Sequence, residues 1–314
     1  MEKTGKVIAV CISEKKGTQK TEVPSVRLVP EWGIEGDAHA GNWHRQVSLL
    51  ALEKIEAFRA RGADVDFGAF GENIIAEGFD FRSLPVGTRF RIGDALLELT
   101  QIGKECHTHC AIYHQVGDCI MPREGVFTVV LEGGTVKAGE TIEMIEAAPD
   151  RAFTAAWITL SDKGAAGERE DKSGPLIGDI LTEAGYNVVE GVLIPDEPAL
   201  LKKELMRLAD QRQVNVIFTT GGTGFSKRDR TPEATRDVCD RMTPGIAEAI
   251  RAYSMTKTPT AMLSRATAGM RNETLIINLP GSPKAVRECL DFLLHPLEHG
   301  LDIMLGRDGE CARS

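Results

Sequence analysis

The sequence predicts a two-domain protein with a mostly-β first half and an α/β second half that contains a mostly parallel sheet. Its 314 residues exceed the usual size of a single hydrophobic core. Short apolar runs separated by glycine turns dominate the first half, as in antiparallel strands. In the second half, strand-like runs alternate with glycine loops and helix starts, a pattern that indicates parallel strands joined by helices. The predicted boundaries are residues 1–146, a linker over 147–152, and residues 153–314.

Composition excludes several classes of function. The net charge of −9 argues against a general nucleic-acid binder or a protein of anionic membrane surfaces, because both need basic surface to neutralise phosphates. No apolar run approaches the roughly 20 residues of a membrane span, and the first residues lack a signal-peptide pattern, so a cytoplasmic protein is expected. Seven cysteines argue against a disulfide framework in a chain of this length, and reduced thiols are expected.

Two hairpins and one helix are predicted within the first half. One hairpin turns at Gly93 and Asp94, and a second turns at Gly133 and Gly134. Ser48 is the predicted start of a helix with an apolar face of Leu49, Leu52, Ile55 and Phe58.

The second half contains repeated strand, loop and helix units. Predicted strands cover residues 153–160, 187–194, 214–218 and 274–279. Each is followed by a helix start that contains proline, and these starts lie at residues 173–175, 198, 231–233 and 281–283. The sheet edge where these strands end is therefore the expected ligand site.

The most informative loop is TTGGTG, residues 219–224, which lies between a buried strand and the helix start at Thr231. Its glycines permit positive φ angles and close backbone approach, so that successive N–H groups can point at an anion. No Gly-Lys-Ser/Thr follows at the spacing of a Walker A loop. Taken alone, the loop is equally compatible with an ordinary turn after a strand.

Further groups for binding phosphate and magnesium lie in the loops that should meet at this edge. Lys284, Arg228 and Arg230 can add positive charge to the glycine N–H groups and helix N-termini. Hard carboxylate oxygens, which suit Mg²⁺ beside substrate phosphates, come from Asp162, Asp196 and Asp229.

Simpler explanations exist for each of these residues. Ser173 and Ser282 can be plain N-caps, and Asp196 can cap the helix that begins at Pro198. The arginines around Asp229 can lie in a solvated turn. Their expected convergence on one edge favours the phosphate site.

Six segments of the second half carry a family resemblance. They are TLSDKGAAGEREDKSGP, IPDE, TTGGTGFSKRDRTPEAT, TPG, LSRATAG and LIINLPGSPKAV. In this order and spacing, over about residues 153–305, they resemble the molybdopterin adenylyltransferase family of molybdenum-cofactor biosynthesis. A related domain of molybdate-insertion enzymes has a similar glycine loop, but residues 228–233 fit the adenylyltransferase pattern better.

This resemblance implies a fold, a reaction and a set of site residues. The fold is a three-layer α/β sandwich, the molybdopterin-binding fold, and the domain is expected to form trimers. ATP and molybdopterin would be the substrates, and Asp196 and Asp229 the catalytic carboxylates associated with Mg²⁺. The residues expected to bind nucleotide and pterin are Asp162, Ser173, Gly174, Thr219, Thr220, Gly221, Gly222, Thr223, Gly224, Ser264, Asn278, Pro280, Gly281, Ser282 and Lys284. A non-catalytic carrier of molybdopterin is the alternative.

A thiol-rich stretch in the first half contains Cys106, His107, His109, Cys110 and Cys119. Thiols and imidazoles at this density indicate either soft-metal ligation or a reactive sulfur. The spacing lacks the C-x2-C pairs of common zinc sites, which weakens the case for a closed zinc site. For Cys106, a buried hydrophobic role is a further alternative.

The first half, over about residues 6–146, resembles the MOSC family of β-barrel domains. The matching segments are GDAHAG from Gly36, RQVSLL from Arg45, GAFGENI from Gly68, GTRFRIG from Gly87, and Cys106. In that family one cysteine is proposed to carry sulfur or to contact molybdenum, and Cys106 matches it, although Cys110 and Cys119 are extra.

The MOSC resemblance also implies a pocket lined by His39, Arg45 and Asn73, with molybdenum cofactor as a possible ligand. A pterin phosphate would explain Arg45, whereas structural hydrogen bonding explains Asn73 equally well. The combined hypothesis is a cofactor-biosynthesis protein with an adenylyltransferase domain and a domain for sulfur transfer or cofactor handling. Other molybdenum-cofactor enzymes are possible partners, and a metal-binding structural module is the alternative for the first half.

Overall fold

The computed structural model describes residues 3–105, 117–145 and 151–307. Its backbone divides into two compact units, Met1–Ala148 and Pro149–Ser314. Each unit has its own buried hydrophobic clusters.

The first unit is built around a closed barrel of seven strands. In barrel order these are β1 (Thr4–Ile12), β11 (Thr141–Ile145), β7 (Arg89–Ile92), β8 (Ala95–Ile102), β9 (Val126–Glu132), β5 (Val47–Ala51) and β6 (Ile74–Glu77). Pairing of β1 with β11 closes the barrel, and β2 (Thr21–Val23) is added beside β1. Within the barrel β5 and β6 pair in parallel, and the other pairings are antiparallel. The predicted β-barrel is therefore confirmed.

One predicted hairpin of the first half is confirmed and the other is wrong. β7 and β8 pair around Gly93 as expected. The strand β10 (Gly134–Lys137) instead pairs with β3 (Ser25–Val29), in a small sheet completed by β4 (Gly33–Ile34). At Gly133 the chain passes so close to β3 that an added Cβ would lie 2.8 Å from the carbonyl oxygen of Leu28. This close approach directs the chain into the small sheet and away from a hairpin with β9.

The predicted helix of the first half begins later than expected. Ser48 lies within the buried strand β5, and helix α1 covers Leu52–Arg59. The Ser48 hydroxyl donates to Asn73 Oδ1 at 2.9 Å instead of capping a helix. A short helix, α2 (Met121–Glu124), also belongs to this unit.

A buried carboxyl group gives the first unit an expected pH dependence. Burial raises the pKa of Glu72 to about 7 from 4.5, although its oxygens accept the N–H groups of Gly68 at 2.8 Å and Phe70 at 3.0 Å. Between about pH 4.5 and 7 the folded state therefore binds more protons than the unfolded state. Its free energy of unfolding should decrease by up to roughly 3 kcal/mol as the pH rises through this range.

Urea unfolding at several pH values measures this slope, with Trp157→Phe leaving Trp32 and Trp43 as reporters of the first unit. We expect Glu72→Gln to flatten the slope and the exposed control Glu22→Gln to leave it unchanged. An equal slope in Glu72→Gln would assign the pH dependence to other groups.

The second unit contains a six-stranded sheet. Its strand order is β13 (Asn187–Ile194), β12 (Thr154–Leu160), β14 (Val216–Thr220), β17 (Thr274–Leu279), β16 (Ala268–Arg271) and β15 (Arg241–Met242). The first four strands pair in parallel, and β16 and β15 continue the sheet antiparallel. The α/β class predicted for this half is confirmed.

Helices cover both faces of this sheet. In chain order they are α3 (Asp162–Ala165), α4 (Ser173–Glu183), α5 (Pro198–Met206), α6 (Thr231–Val238), α7 (Pro244–Met255) and α8 (Pro283–Met304). On β14, Val216 and Phe218 pack in one buried cluster with apolar side chains of α4, α7 and α8. Ile217, which points to the opposite face, packs with apolar side chains of α5 and α6. The alternation of a buried strand thus fixes which helices lie on each face.

Within the described part of the chain, no helix combines the length and the apolar character that crossing a membrane would require.

Candidate functional site

A cleft of about 870 Å³ opens at the carboxyl ends of β12, β14 and β17. Residues of all four loops predicted to meet at this edge contribute to its wall. The lining residues are Thr159, Leu160, Ser161, Gly164, Arg169, Glu170, Asp171, Lys172, Ser173, Asp196, Thr220, Gly221, Gly222, Asp229, Gly281, Ser282 and Pro283.

The glycine loop has a conformation that requires glycine at two positions. Gly221 and Gly222 have φ angles of +99° and +64°, which residues with a Cβ rarely adopt. A Cβ at Gly221 would lie 2.3 Å from the carbonyl oxygen of Leu160, and one at Gly222 would lie 2.4 Å from Thr231 Oγ1. The loop therefore exposes backbone to the cleft without side chains, as the anion-site prediction requires.

Hydroxyl groups tie the loops around the cleft to one another. Thr220 Oγ1 donates to the carbonyl of Pro280 at 2.7 Å, and Ser173 Oγ donates to the carbonyl of Gly281 at 2.9 Å. Thr231 Oγ1 donates to the carbonyl of Gly221 at 2.9 Å. The first two bonds join different loops, and the third holds the glycine loop to the start of α6.

Two carboxylates of the predicted set face the cleft, and a third supports one of them. Asp196 and Asp162 each accept the other's backbone N–H at 3.0 Å, which fixes their two loops together. Asp196 and Asp229 line the cleft. Burial, together with the negative charges of Asp162 and Asp229, raises the pKa of Asp196. A cation beside Asp196 would offset this repulsion.

The donor set of the cleft suits Mg²⁺ in particular. Asp196 and Asp229 supply hard oxygen ligands. Among the described residues no group of three or more His, Cys, Asp or Glu side chains forms a complete metal site. The two carboxylates would therefore hold Mg²⁺ only together with water and substrate phosphates, which is the usual manner of binding this ion.

The positive charges of the cleft come from residues other than the predicted ones. Arg228 is engaged by Asp162 at 2.6 Å and by Glu197 at 3.0 Å, and this holds the pKa of Asp162 below its ordinary value. Lys284 is 87% exposed and, like Arg230, does not line the cleft. The cations that do line the cleft are Arg169 and Lys172, in the loop before α4. Arg228, Arg230 and Lys284 thus lie outside the cleft wall, and their role in binding phosphate stays a prediction.

Other predicted binding residues lie outside the cleft wall, and Asn278 supports that wall from behind. Buried Asn278 donates to Thr219 Oγ1 and Thr235 Oγ1, both at 2.9 Å, and so braces β14 and α6 against β17. Predicted residues outside the cleft wall are Asp162, Gly174, Thr219, Thr223, Gly224, Ser264, Asn278, Pro280 and Lys284.

Thr159 and Asp171 line the cleft but were missed by the sequence prediction. Asp171 Oδ1 accepts the N–H groups of Ser173 and Gly174, each at 3.0 Å, and so caps α4. Its Oδ2 and Thr159 Oγ1 are buried without a hydrogen-bond partner. Both atoms lie 2.5 Å from where a Cβ on Gly174 would stand, so Gly174 makes room for them. The sequence signal that could have identified Asp171 is its position two residues before the predicted helix start at Ser173.

The cap predicts a measurable loss of stability. Asp171→Ala should lower the free energy of unfolding of the second unit by about 1 kcal/mol, because two N–H groups of α4 lose their acceptor. Asp171→Asn retains an acceptor oxygen and should recover most of this loss. Chemical denaturation of the full chain makes the comparison, followed by Trp157 fluorescence after Trp32→Phe and Trp43→Phe substitution. Equal midpoints for the alanine variant and the parent would contradict the role.

In the first unit, the predicted pocket residues have different environments. His39 is partly exposed, and Arg45 lies against the rings of Trp43 and Phe127, 4.7 and 5.6 Å from their centres. Asn73 is buried, and its amide donates to the carbonyl of Cys11 at 3.0 Å. The hydrogen bonds of Asn73 are thus internal to the first unit, as expected if its role is structural and not ligand binding. The predicted catalytic Cys106 lies outside the described residues, as does Cys110, while Cys119 is buried.

Comparisons with known proteins match the two halves separately. The family model described as a probable molybdopterin binding domain matches residues 156–299, and the MOSC domain model matches residues 36–143. A molybdopterin adenylyltransferase of Helicobacter pylori strain J99 is 44% identical over 151 residues, which are 48% of this chain and 86% of the relative. The Escherichia coli K12 enzyme of the same name is 41% identical over 136 residues, 43% of this chain and 70% of the relative.

The comparison with solved structures also matches half of the chain. A crystal structure of the molybdopterin biosynthesis enzyme MoaB from Thermus thermophilus is 47% identical. The match covers 49% of this chain and 97% of that one, with a TM-score of 0.47.

The fold, the cleft and the two family models together define a MOSC domain followed by a molybdopterin-binding domain. Through its second half, the chain belongs to the molybdopterin adenylyltransferase family.

Proposed function

We propose that the second unit transfers an adenylyl group from ATP to molybdopterin in a Mg²⁺-dependent reaction. The observation that carries this proposal is the cleft itself. It combines a glycine loop, a second helix start at Ser282, the carboxylates of Asp196 and Asp229 and the cations Arg169 and Lys172 in one space of about 870 Å³. Such a set suits two phosphate-bearing ligands and a divalent ion. In the proposal this unit has the three-layer molybdopterin-binding fold and assembles as a trimer.

The reaction requires positioning and charge neutralisation more than a potent nucleophile. An oxygen of the terminal phosphate of molybdopterin attacks the α-phosphorus of ATP. The bond between the α-phosphorus and its bridging oxygen breaks, and pyrophosphate leaves with the bonding electron pair. Backbone N–H groups of Gly221 and Gly222 would stabilise phosphate oxygens, and Asp196 and Asp229 would hold Mg²⁺, whose role is to neutralise the triphosphate.

The proposed role of the first unit is sulfur transfer or handling of the cofactor. Its support is the match to the MOSC domain model. The location of the protein in the cytoplasm stays a prediction.

Pyrophosphate release from ATP tests the main proposal. We expect release by the full chain only when molybdopterin and Mg²⁺ are both present, with adenylylated molybdopterin as the second product by mass spectrometry. Tight binding of molybdopterin without pyrophosphate release would instead identify a carrier. Separate titration of molybdopterin in the absence of ATP distinguishes this outcome from a failure to bind.

Arg169 provides a more specific prediction about ATP. In the described part of the chain its guanidinium forms no ion pair, and it lines the cleft. Arg169→Ala should raise the KM for ATP about 10-fold, as expected for the loss of one charge-assisted contact. Steady-state kinetics measure this, with Arg236→Ala, an exposed helical arginine outside the cleft, as the matched control. Equal KM values for both variants would exclude a contribution of Arg169 to ATP binding.

A further inference from the structure

One arginine of the second unit contacts both ends of the loop that carries Asp229, residues 223–229. Arg265 lies just before β16 and does not line the cleft. Its backbone N–H donates to the carbonyl of Thr223 at 2.9 Å, and its Nε donates to the carbonyl of Gly224 at 2.8 Å. At the other end of the loop, its Nη2 donates to the carbonyl of Asp229. A single residue therefore fixes the distance between the two ends of this loop.

The guanidinium of Arg265 is itself oriented by a carboxylate. Its Nη1 and Nη2 donate to the two carboxylate oxygens of Glu233, which lies in the first turn of α6. The two side chains are 33% and 32% exposed. A guanidinium has five N–H donors in a fixed plane, whereas a lysine ammonium is a compact group with three donors. Lysine at position 265 would therefore keep the charge and lose the arrangement of contacts.

The two largest side chains of the loop are weak anchors in comparison. Phe225 is 70% exposed, so apolar packing does not hold the loop in place. Arg228 forms its ion pairs at the surface, where its side chain is 51% exposed, and such pairs contribute little to stability. Within the loop the Ser226 N–H donates to Asp229 Oδ2 at 2.9 Å, which fixes the carboxylate relative to the loop backbone. The position of this carboxylate therefore depends on where Arg265 holds the loop.

We propose that Arg265 is a positioning residue that places the Asp229 carboxylate for a divalent cation. It acts through the loop, because its contacts are with the loop backbone and not with the cleft. Glu233 orients Arg265, so the two residues act together. The inference rests on the proposed function, in which Asp229 holds Mg²⁺ together with substrate phosphates. It predicts that the effect of changing Arg265 disappears once Asp229 has lost its charge.

Binding of Mn²⁺ in the presence of α,β-methylene-ATP tests the inference without turnover. Mn²⁺ takes the same oxygen ligands as Mg²⁺, and the methylene group replaces the bridging oxygen of the bond that would break. Electron paramagnetic resonance of free Mn²⁺ gives the dissociation constant for the full chain. Arg265→Lys should weaken Mn²⁺ binding about 10-fold, as expected when one charge-assisted contact is lost.

A double-mutant cycle separates positioning from an independent contribution. Asp229→Asn combined with Arg265→Lys should bind Mn²⁺ within about threefold of Asp229→Asn alone, because positioning has no effect without the carboxylate. A further loss of about 10-fold in the double variant would overturn the inference. Unchanged Mn²⁺ binding in Arg265→Lys alone would do the same.

Arg271→Lys is the matched control for a loss of stability. Arg271 donates to both carboxylate oxygens of Asp210, at 2.8 and 2.6 Å, and to the carbonyl of Val238 at 2.9 Å. It pairs with Thr274 at the start of β17, whereas the cleft opens where β17 ends. The substitution should therefore reduce stability, as at Arg265, and leave Mn²⁺ binding unchanged. Equal weakening of Mn²⁺ binding by the two variants would show a purely structural effect and overturn the inference.

Glu233→Gln is the second variant, because Arg265→Lys can prevent folding. Glutamine keeps an oxygen that accepts from Arg265 and removes the charge that orients it. Mn²⁺ binding should weaken about threefold. Binding equal to that of the parent would overturn the joint action of the two residues.

The amide resonance of Ser226 tests the positioning in the absence of any ligand. Its N–H donates to Asp229 Oδ2, so its proton shift reports the position of that carboxylate. Arg265→Lys should shift this resonance, and Arg271→Lys should not. A parent that neither binds Mn²⁺ nor releases pyrophosphate would overturn the proposed function together with the inference. A parent that does both, with an unchanged Ser226 resonance in Arg265→Lys, would overturn the inference alone.

Discussion

Asparagine at Asp196 or Asp229 is expected to reduce pyrophosphate release about 100- to 1,000-fold, the range found when one preorganised electrostatic group is removed from an active site. Each substitution removes a negative charge from the cleft. Each also retains an oxygen that can accept the existing backbone hydrogen bond, from Asp162 at 3.0 Å or from Ser226 at 2.9 Å. The loops should therefore keep their conformation while the affinity for Mg²⁺ falls.

Stability separates this effect from unfolding. The raised pKa of Asp196 means that its charge is disfavoured in the folded state, so Asp196→Asn should leave the melting temperature unchanged or higher. The matched control is Asp179→Asn, an exposed position on α4 outside the cleft. Activity of the two cleft variants within twofold of this control, at saturating Mg²⁺, would exclude both carboxylates from the reaction.

Alanine at Gly221 is expected to destabilise the second unit by about 3 kcal/mol and to reduce turnover at least about 100-fold. Its φ of +99° is unfavourable for alanine. The new Cβ would also lie 2.3 Å from the Leu160 carbonyl oxygen, which is backbone and cannot rotate away. The loop must therefore shift, and its N–H groups would no longer point at the same place.

Gly245→Ala is the matched control for this substitution. Gly245 lies in α7, and a Cβ there would meet no atom within 4 Å. Alanine should be neutral or stabilising by up to about 1 kcal/mol at that position. Chemical denaturation and the pyrophosphate assay measure both variants, and a Gly221→Ala protein with normal stability and turnover would show that the loop tolerates a side chain.

The general location of the cleft could be predicted from the sequence because local patterns determine it. A buried strand, a glycine loop and a proline-containing helix start follow one another at residues 214–233. Parallel pairing then brings the ends of β12, β14 and β17 to one edge. The position of Asp196 and Asp229 at this edge could be predicted for the same reason, since each lies in a loop between the end of a parallel strand and the next helix start.

The details that could not be predicted depend on contacts between distant parts of the chain. Arg228 forms an ion pair with Asp162, 66 residues away, and does not line the cleft. Gly134 was assigned to a hairpin because the neighbouring strand is close in sequence, but Leu28 is its actual partner in the small sheet. Lys20 has no motif around it, and only the folded barrel brings it to Asp37.

The hydroxyl ties around the cleft have a consequence for how ligands bind. Thr220 and Ser173 hold the loops at Pro280 and Gly281 through neutral hydrogen bonds, which are little affected by ionic strength. Phosphate contacts, in contrast, weaken as salt screens them. The walls therefore keep their spacing when attraction for the ligands is reduced, and little conformational entropy is lost on binding. Uncharged groups therefore determine the shape of the cleft, and charged groups determine its affinity for ligands.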